Sequence, residues 1–360
     1  MSDPPAARRI PVGDSGSTIW IGQGLLDHAG RHLASASGRF LIVSAPSAEP
    51  HAERVRAALP GPPLLHLTLP DGEGAKTLGA VEAIAEAALS AGLRRDDAFV
   101  AVGGGVLTDV VGFAAAILLR GVAWNAIPTT TAGMADAAIG GKTAVNHPRG
   151  KNLLGAFHPP RSILVDPACL ETLPDRDYRS GLVEAYKAAW IADAALAARA
   201  AAALPAIRSR DAAALLDLLA GAARVKARLV GEDPGDTGRR RLLNFGHTLG
   251  HALEAAGGYS DLRHGEAVAW GIRAALEISR RRAGLSDGDA DAVRRLLAEL
   301  GPFPPPERRP ERLAPLLALD KKSTARGAAG VLLERIGTAR VEEAVSAEEW
   351  LEAAAIMTAS

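Results

Sequence analysis

Three of the nine histidines of this 360-residue chain fall in one segment, NFGHTLGHALEAAGGYSDLRHGE, Asn244 to Glu266. His247 and His251 are four apart, so on a helix they share a face, and His264 follows. Neutral imidazoles suit zinc, and a catalytic zinc takes three protein ligands while keeping a position open. The chain has a single cysteine, Cys169, so any metal must be held by His, Asp or Glu. Glu184, in the helix-forming run LVEAYK (Leu182 to Lys187), offers a carboxylate. Glu184 and Lys187 also share a helix face, and the simplest outcome of that spacing is a surface ion pair. The histidine segment is expected to bind a metal ion.

A second set of residues suits phosphate groups. Gly103, Gly104 and Gly105 follow a β-rich run and open a helical one. Glycines there let a backbone approach a pyrophosphate, whose charge the helix N-terminus favours. The pattern is not G-x-G-x-x-G, and a plain tight turn explains it as well. Asp109, one turn on, also fits as a favourable charge near a helix start. PDGEGAK, Pro70 to Lys76, sits between a strand and a helix, either as a nucleotide contact or as a glycine turn. Residues Ile127 to Asn146 are predicted to form a polar loop. In it Thr129 and Thr130 offer hydroxyls, Gly140 and Gly141 a close backbone approach, and Lys142 a cation. Lys151 and Asn152 follow, and the collection suits a phosphorylated ligand. Arg239 to Arg241 with Lys226 upstream, and Asp320-Lys321-Lys322, are either solvated charge runs or anion-binding groups.

The elements that must position these residues differ between the two halves. In the first, strand candidates at Arg39 to Ser44, Leu64 to Leu69, Ala98 to Val102 and Trp124 to Pro128 alternate with helical patterns at His51 to Leu59, from Leu78, and at Val106 to Leu119. That alternation predicts an open parallel α/β sheet. From Asp175 to Leu300 strand candidates nearly vanish, and Ala/Leu-rich helices such as Asp193 to Ala203 and Ala213 to Val230 replace them. Short strands return at Ala329 to Glu334 and Gly337 to Val341, and Gly301 to Pro310 reads as a surface loop. Length suggests about two domains, divided near residues 172–176. Apolar residues make up 48% and charged residues 23%, a globular composition that excludes a disordered chain. Acidic and basic residues balance at 41 each, so the bulk charge of a nucleic-acid binder is missing. The longest apolar run, Val110 to Leu119, is half the roughly 20 residues of a bilayer span. The N-terminus lacks a signal-peptide core, and a cytoplasmic protein with no membrane partner is expected.

Taken in order, GGGVLTDVVGF, the PTT…GGKTAVNHPRGKNLLGAFHPP block, EAYK, LNFGHTLGHALE, RHGEAVAWG and DKK resemble the 3-dehydroquinate synthases of the sugar-phosphate cyclase family. The likeness runs from about Pro70 to about Val341. It implies an α/β plus all-α fold: a Rossmann-like nucleotide-binding domain over 1–173 and an α-helical metal- and substrate-binding domain over 174–360. It also implies NAD, a divalent metal (zinc foremost, cobalt as the alternative), a homodimer, and a sugar-phosphate substrate. The implied reaction converts 3-deoxy-D-arabino-heptulosonate 7-phosphate to 3-dehydroquinate and phosphate in the shikimate pathway. A hydroxyl is oxidised by NAD, phosphate is eliminated, the hydride returns, and an aldol closure forms the ring, so net NAD consumption is zero.

Position by position, the resemblance implies Glu184, His247 and His264 as metal ligands, with His251 facing the phosphate end instead. It places Lys142, Asn152 and His251 at the phosphate, with Lys321 or Lys322, and Arg120 reaching from a partner subunit. Lys226, Arg240 and Asn244 would hold the carboxylate end, and Asp136 and Lys187 would sit at the reacting hydroxyls. The implied NAD contacts are Glu73, Lys76, Gly104, Gly105, Val106, Asp109, Thr129, Thr130, Lys142, Lys151 and Thr172. The sequence departs from the family pattern at Leu107-Thr108, Gly133-Met134, Ala137-Ala138 and Ala144. The first 65 residues match poorly, and SAPSAEP (Ser44 to Pro50) lacks the Asp or Asn often found beside the adenine ribose. Two alternatives stand beside this reading. One is a cyclase acting on sedoheptulose 7-phosphate or glucose 6-phosphate, which needs no carboxylate clamp. The other is a metal-dependent polyol dehydrogenase, which would release NADH.

Overall fold

Six short β-branched or Leu-rich runs and one amphipathic edge strand build a seven-stranded sheet in the computed structural model, which describes residues 7–318, 323–324 and 327–357. In chain order the first half forms β1 (Arg8–Val12), β2 (Ser17–Ile21), β3 (Phe40–Ser44), α1 (Glu49–Ala58), β4 (Leu65–Thr68), α2 (Leu78–Ser90), β5 (Ala98–Gly103), α3 (Gly105–Ile117), β6 (Ala123–Pro128), β7 (Lys142–His147), β8 (Gly150–Phe157) and β9 (Ser162–Val165). The strand order is β1-β2-β9-β6-β5-β3-β4. Only β1 runs antiparallel to its neighbour; the other pairings are parallel. β3, β5 and β9 are buried along their whole length, as expected of strands covered on both faces. The chain leaves β3 outward to β4 and then crosses back to β5. The order therefore reverses between β3 and β5, and ligands favour the carboxyl ends of strands at such a reversal.

The expected strands and helices of this half are present, with three additions. β1–β2 and β9 were not anticipated, and the expected polar loop over Ile127 to Asn146 ends in a strand. Lys142–His147 pairs antiparallel with Gly150–Phe157. Its apolar side chains are too few to announce a strand, because β8 is largely solvated. Its pairing depends instead on Gly155, where a Cβ would lie 2.2 Å from the Thr143 carbonyl oxygen.

The helical half contains α4 (Asp175–Ala192), α5 (Ala194–Ala202), α6 (Leu204–Arg208), α7 (Ala212–Glu232), α8 (His247–Ala256), α9 (His264–Arg282), α10 (Asp287–Leu300) and α11 (Pro310–Ala318). A small sheet of β10 (Ser323–Thr324), β11 (Gly327–Arg335) and β12 (Thr338–Val345) follows, then α12 (Ala347–Ala355). α9 is the hub: α4, α8, α10, α12 and β11 all pack on it. Among the described residues no helix is long and apolar enough to cross a membrane.

The chain separates into two compact units, and they do not follow a single cut. Residues up to Pro174 form one unit together with Leu215–Gly235; Asp175–Ala214 and the residues from Asp236 onward form the other. The span expected as one unbroken helical domain, 174–360, is thus interrupted. The reason is a glycine contact that lets most of α7 lie against the β1–β2 turn. A Cβ at Gly13, whose φ is +49°, would lie 2.6 Å from the Gly231 Cα. Arg8 and Asp217 add an ion pair at 3.7 Å.

One buried carboxylate fastens the loop before β5. Asp97 accepts hydrogen bonds from Arg39 Nε at 2.9 Å and Nη2 at 2.6 Å, Ser37 Oγ at 2.7 Å, and the Arg94 amide at 2.6 Å. Burial opposes its charge, but Arg39 and the other donors outweigh burial and hold the pKa down at about 2, against 3.8 for a free carboxyl. A lowered pKa means stability that is complete above pH 4 and is lost as pH falls through 2. That difference corresponds to about 2 kcal/mol. Asp97→Asn is expected to cost about that much at pH 7 and to flatten the loss between pH 4 and 2. Denaturant titrations of both proteins across that range check it.

Candidate active site

LVEAYK lies in α4, but Glu184 and Lys187 are each only 1% exposed, so the expected surface ion pair is a buried one. Lys187 Nζ is in ion-pair contact with Glu184 Oε2, yet neither carboxylate oxygen has a hydrogen-bond partner. Burial opposes the charge on Glu184, and the Lys187 ammonium with His264 reverses that, holding the carboxyl well below the usual range.

Two helix starts bring imidazoles to this carboxylate. His247 opens α8 after Gly246, whose φ is +80°, and a Cβ there would lie 2.5 Å from Ile272 Cγ1. His264 opens α9, where a Cβ on the next residue, Gly265, would lie 1.9 Å from the Ser180 carbonyl oxygen of α4. The Gly265 amide donates to Ser180 Oγ at 3.0 Å. Arg176 of α4 clamps Glu266 at 2.7 and 2.8 Å, which fixes the first turn of α9. The result is that His247 Nε2 and His264 Nε2 stand 3.8 and 3.5 Å from Glu184 Oε1.

The other ring nitrogens are engaged elsewhere. His247 Nδ1 faces the Phe245 carbonyl at 3.2 Å, and His264 Nδ1 faces Glu254 Oε2 at 3.0 Å. Donation by both Nδ1–H groups directs both Nε2 lone pairs at the Glu184 carboxylate. Three acceptors facing one another repel unless a cation lies among them. A carboxylate oxygen without a hydrogen bond and two imidazole nitrogens, within 4.8 Å of one another, are the donor set of a zinc-type site. Protons answer the same need: burial disfavours charge on His264, but Glu254 and Glu184 raise its pKa.

His251 lies beside these imidazoles, its ring 5.3 Å from that of His247 and 6.1 Å from that of His264. Arg240 is buried in the turn Arg239–Asn244 that precedes Gly246, and Asn244 Nδ2 donates to the Arg241 carbonyl at 3.0 Å. Lys321 and Lys322 lie outside the described residues. Sequence reasoning missed Glu254. The signal was available: it stands seven residues after His247 and three after His251, so it shares their helix face.

In the other unit, Gly104 caps α3 with no side-chain partner at the carboxyl end of β5. A Cβ at Gly104 would lie 3.1 Å from Thr130 Cγ2, and one at Gly105 would lie 3.0 Å from Ala137 Cβ. The Thr129 amide donates to the Gly103 carbonyl at 3.0 Å, so Thr129, Thr130, Gly104, Gly105 and Val106 share one turn region. Lys76 Nζ meets Asp109 Oδ2 at 2.5 Å. Burial raises the Asp109 pKa although Lys76 opposes the shift. Glu73 accepts from Asn146 Nδ2 at 2.7 Å and lies 3.7 Å from Lys151 Nζ. Asn152, at φ +53°, donates its amide to Asn146 Oδ1 at 3.0 Å. Lys142 is exposed at the start of β7. Lys226 Nζ donates to Asp136 Oδ1 at 2.6 Å and to its carbonyl at 2.5 Å. Arg120 and Thr172 are exposed and hydrogen-bond to none of these residues.

Comparison with known proteins adds the family. Residues 66–180 match the family model of the 3-dehydroquinate synthase N-terminal domain, and residues 181–323 match that of the C-terminal domain. A 3-dehydroquinate synthase of Methylococcus capsulatus is 41% identical over 344 residues, covering 94% of this chain and 95% of its own. One from Azotobacter vinelandii is 40% identical over 337 residues, 92% of each chain. Among solved structures, 2-epi-5-epi-valiolone synthase from Streptomyces hygroscopicus, with NAD+ and Zn2+ bound, superposes with TM-score 0.84 at 30% identity, covering 98% of both chains. A 2-deoxy-scyllo-inosose synthase complexed with carbaglucose-6-phosphate, NAD+ and Co2+ gives TM-score 0.84 at 25% identity, covering 97% of this chain and 99% of that one. An iron-containing alcohol dehydrogenase, 16% identical with TM-score 0.69, shares the fold.

The contact at Gly265 generates a prediction. Gly265→Ala forces α9 away from Ser180 and is expected to destabilise the protein by about 3 kcal/mol. It should also weaken zinc binding about tenfold, because His264 moves with α9. Denaturation and chelator competition measure the two effects.

Proposed function

Because the chain belongs to the 3-dehydroquinate synthase family, we propose that it converts 3-deoxy-D-arabino-heptulosonate 7-phosphate to 3-dehydroquinate and phosphate. The observation that carries the proposal is the buried Glu184 carboxylate, with no hydrogen bond of its own, facing Nε2 of two histidines. Glu184, His247 and His264 would hold a divalent metal, zinc first and cobalt as the alternative. A bound metal supplies Lewis acidity to vicinal hydroxyls, and NAD supplies a transient hydride acceptor. For NAD we assign Glu73, Lys76, Gly104, Gly105, Val106, Asp109, Thr129, Thr130, Lys142, Lys151 and Thr172.

The chain's own residues supply charge and position. Lys226 Nζ donates to Asp136 Oδ1 at 2.6 Å. A substrate carboxylate accepting from Lys226 takes the place of Asp136, leaving that carboxylate to receive a proton from a reacting hydroxyl. Lys187 lies beside Glu184 and offers a donor to the other hydroxyl. Arg240 and Asn244 join Lys226 at the carboxylate end. Lys142, Asn152 and His251 bind the phosphate, with Lys321 or Lys322 and with Arg120 of the second subunit of a homodimer. NAD held by the residues assigned to it would supply reversible hydride acceptance, with no net consumption. Electrostatic positioning of this kind is the main contribution a protein makes to such eliminations. A cytoplasmic setting completes the proposal.

The test is phosphate release from 3-deoxy-D-arabino-heptulosonate 7-phosphate with NAD and zinc, while NADH absorbance is followed. Phosphate should appear with no net NADH, and chelator or His264→Ala should lower the rate about 100-fold or more. Turnover of sedoheptulose 7-phosphate instead would assign the chain to the alternative sugar-phosphate cyclases. Steady NADH accumulation on a polyol would make it a dehydrogenase.

A further inference from the structure

We infer that Glu254 is a positioning residue for the metal centre, acting through His264 and not on the ion; this rests on the metal reading above. Glu254 is buried on α8, and a buried carboxylate is costly unless it is paired. Its Oε2 stands 3.0 Å from His264 Nδ1. An imidazole that donates Nδ1–H to a carboxylate is held in one tautomer and one ring orientation, and its Nε2 becomes a better ligand.

The helix packing is built for this reach. α8 and α9 meet at glycines: a Cβ at Gly271 would lie 1.8 Å from the Gly246 carbonyl oxygen, and one at Gly250 3.2 Å from that of Ala267. No larger residue lets the two helices come this near. Glu254 stands on the same helix face as His247, two turns on. One face of α8 thus supplies a ligand, His247, and the carboxylate that orients the next ligand, His264. The contrast with Glu184 separates the two carboxylates. Glu184 turns Oε1, without a hydrogen bond, toward the imidazoles and Oε2 toward Lys187, whereas Glu254 is already engaged by a ring nitrogen. A second grouping, His251 with Glu254 and His264, also clusters within 4.8 Å. Within that grouping Glu254 already faces His264 Nδ1 at 3.0 Å.

The experiment compares wild type and Glu254→Gln by titrating each metal-free chain with Co(II). Affinity is read by chelator competition, and the site by visible absorption; circular dichroism confirms folding. The expected result is one Co(II) per chain in both, with affinity at least about tenfold weaker in the variant and a shifted absorption band. Unchanged affinity and spectrum would overturn the inference and leave Glu254 a purely structural carboxylate. Two Co(II) in wild type and one in the variant would overturn it too, making Glu254 a ligand. If wild type binds no Co(II), the metal reading itself fails, a separate outcome. Should Glu254→Gln not fold, Glu254→Asp, whose shorter arm retreats from Nδ1, gives the same comparison.

Discussion

A carboxylate taken out of water demands compensating charge, and Lys187 supplies it to one oxygen of Glu184. The nearby imidazoles offer lone pairs or protons to its other oxygen, according to what occupies the space. This electrostatic demand organises the helical unit. α4 carries the carboxylate, while α8 and α9 each begin on a histidine aimed at it. The approach of α9 to α4 at Gly265, and of α8 to α9 at Gly271, sets the distances. Those glycines therefore belong to the chemistry as much as the ligands do. A methyl group at either would displace the helix that carries a histidine of the cluster.

The α/β unit solves a different problem with similar means. Its sheet reverses direction between β3 and β5, and the glycine turn at the end of β5 leaves the start of α3 bare of side chains. Around it charged groups are already matched: Lys76 with Asp109, Lys151 with Glu73, and Lys226 with Asp136. Such pairs keep cations in place without stranding them, and a ligand anion can exchange for the protein carboxylate. Pre-pairing lowers the reorganisation needed when a charged ligand arrives.

Much of this was legible in the residues. The alternating strands and helices of the first half and the return of two strands near residue 330 follow hydrophobic periodicity, which local sequence reports well. Spacing marked His247 and His251 as co-facial, but spacing alone could not separate ligand from neighbour, because that depends on where α4 sits. The buried state of Glu184 and Lys187 was invisible for the same reason: a three-residue separation looks alike on a surface and in a core. The β7–β8 hairpin escaped notice because its stability lies in a cross-strand contact at Gly155, not in apolar alternation. The return of Leu215–Gly235 to the α/β unit rests on contacts between residues far apart in sequence, among them Gly13 with Gly231 and Asp136 with Lys226. Glu254 was readable as co-facial with the histidines, yet its purpose needed the position of His264.

The central claim is that Glu184, not another carboxylate of the cluster, holds the metal. X-ray diffraction at the zinc absorption edge, from crystals grown with zinc, addresses it directly. The account predicts an anomalous peak bonded to one Glu184 oxygen and to Nε2 of His247 and His264. A peak among His251, Glu254 and the Nδ1 side of His264, with Glu184 left without an ion, would contradict it.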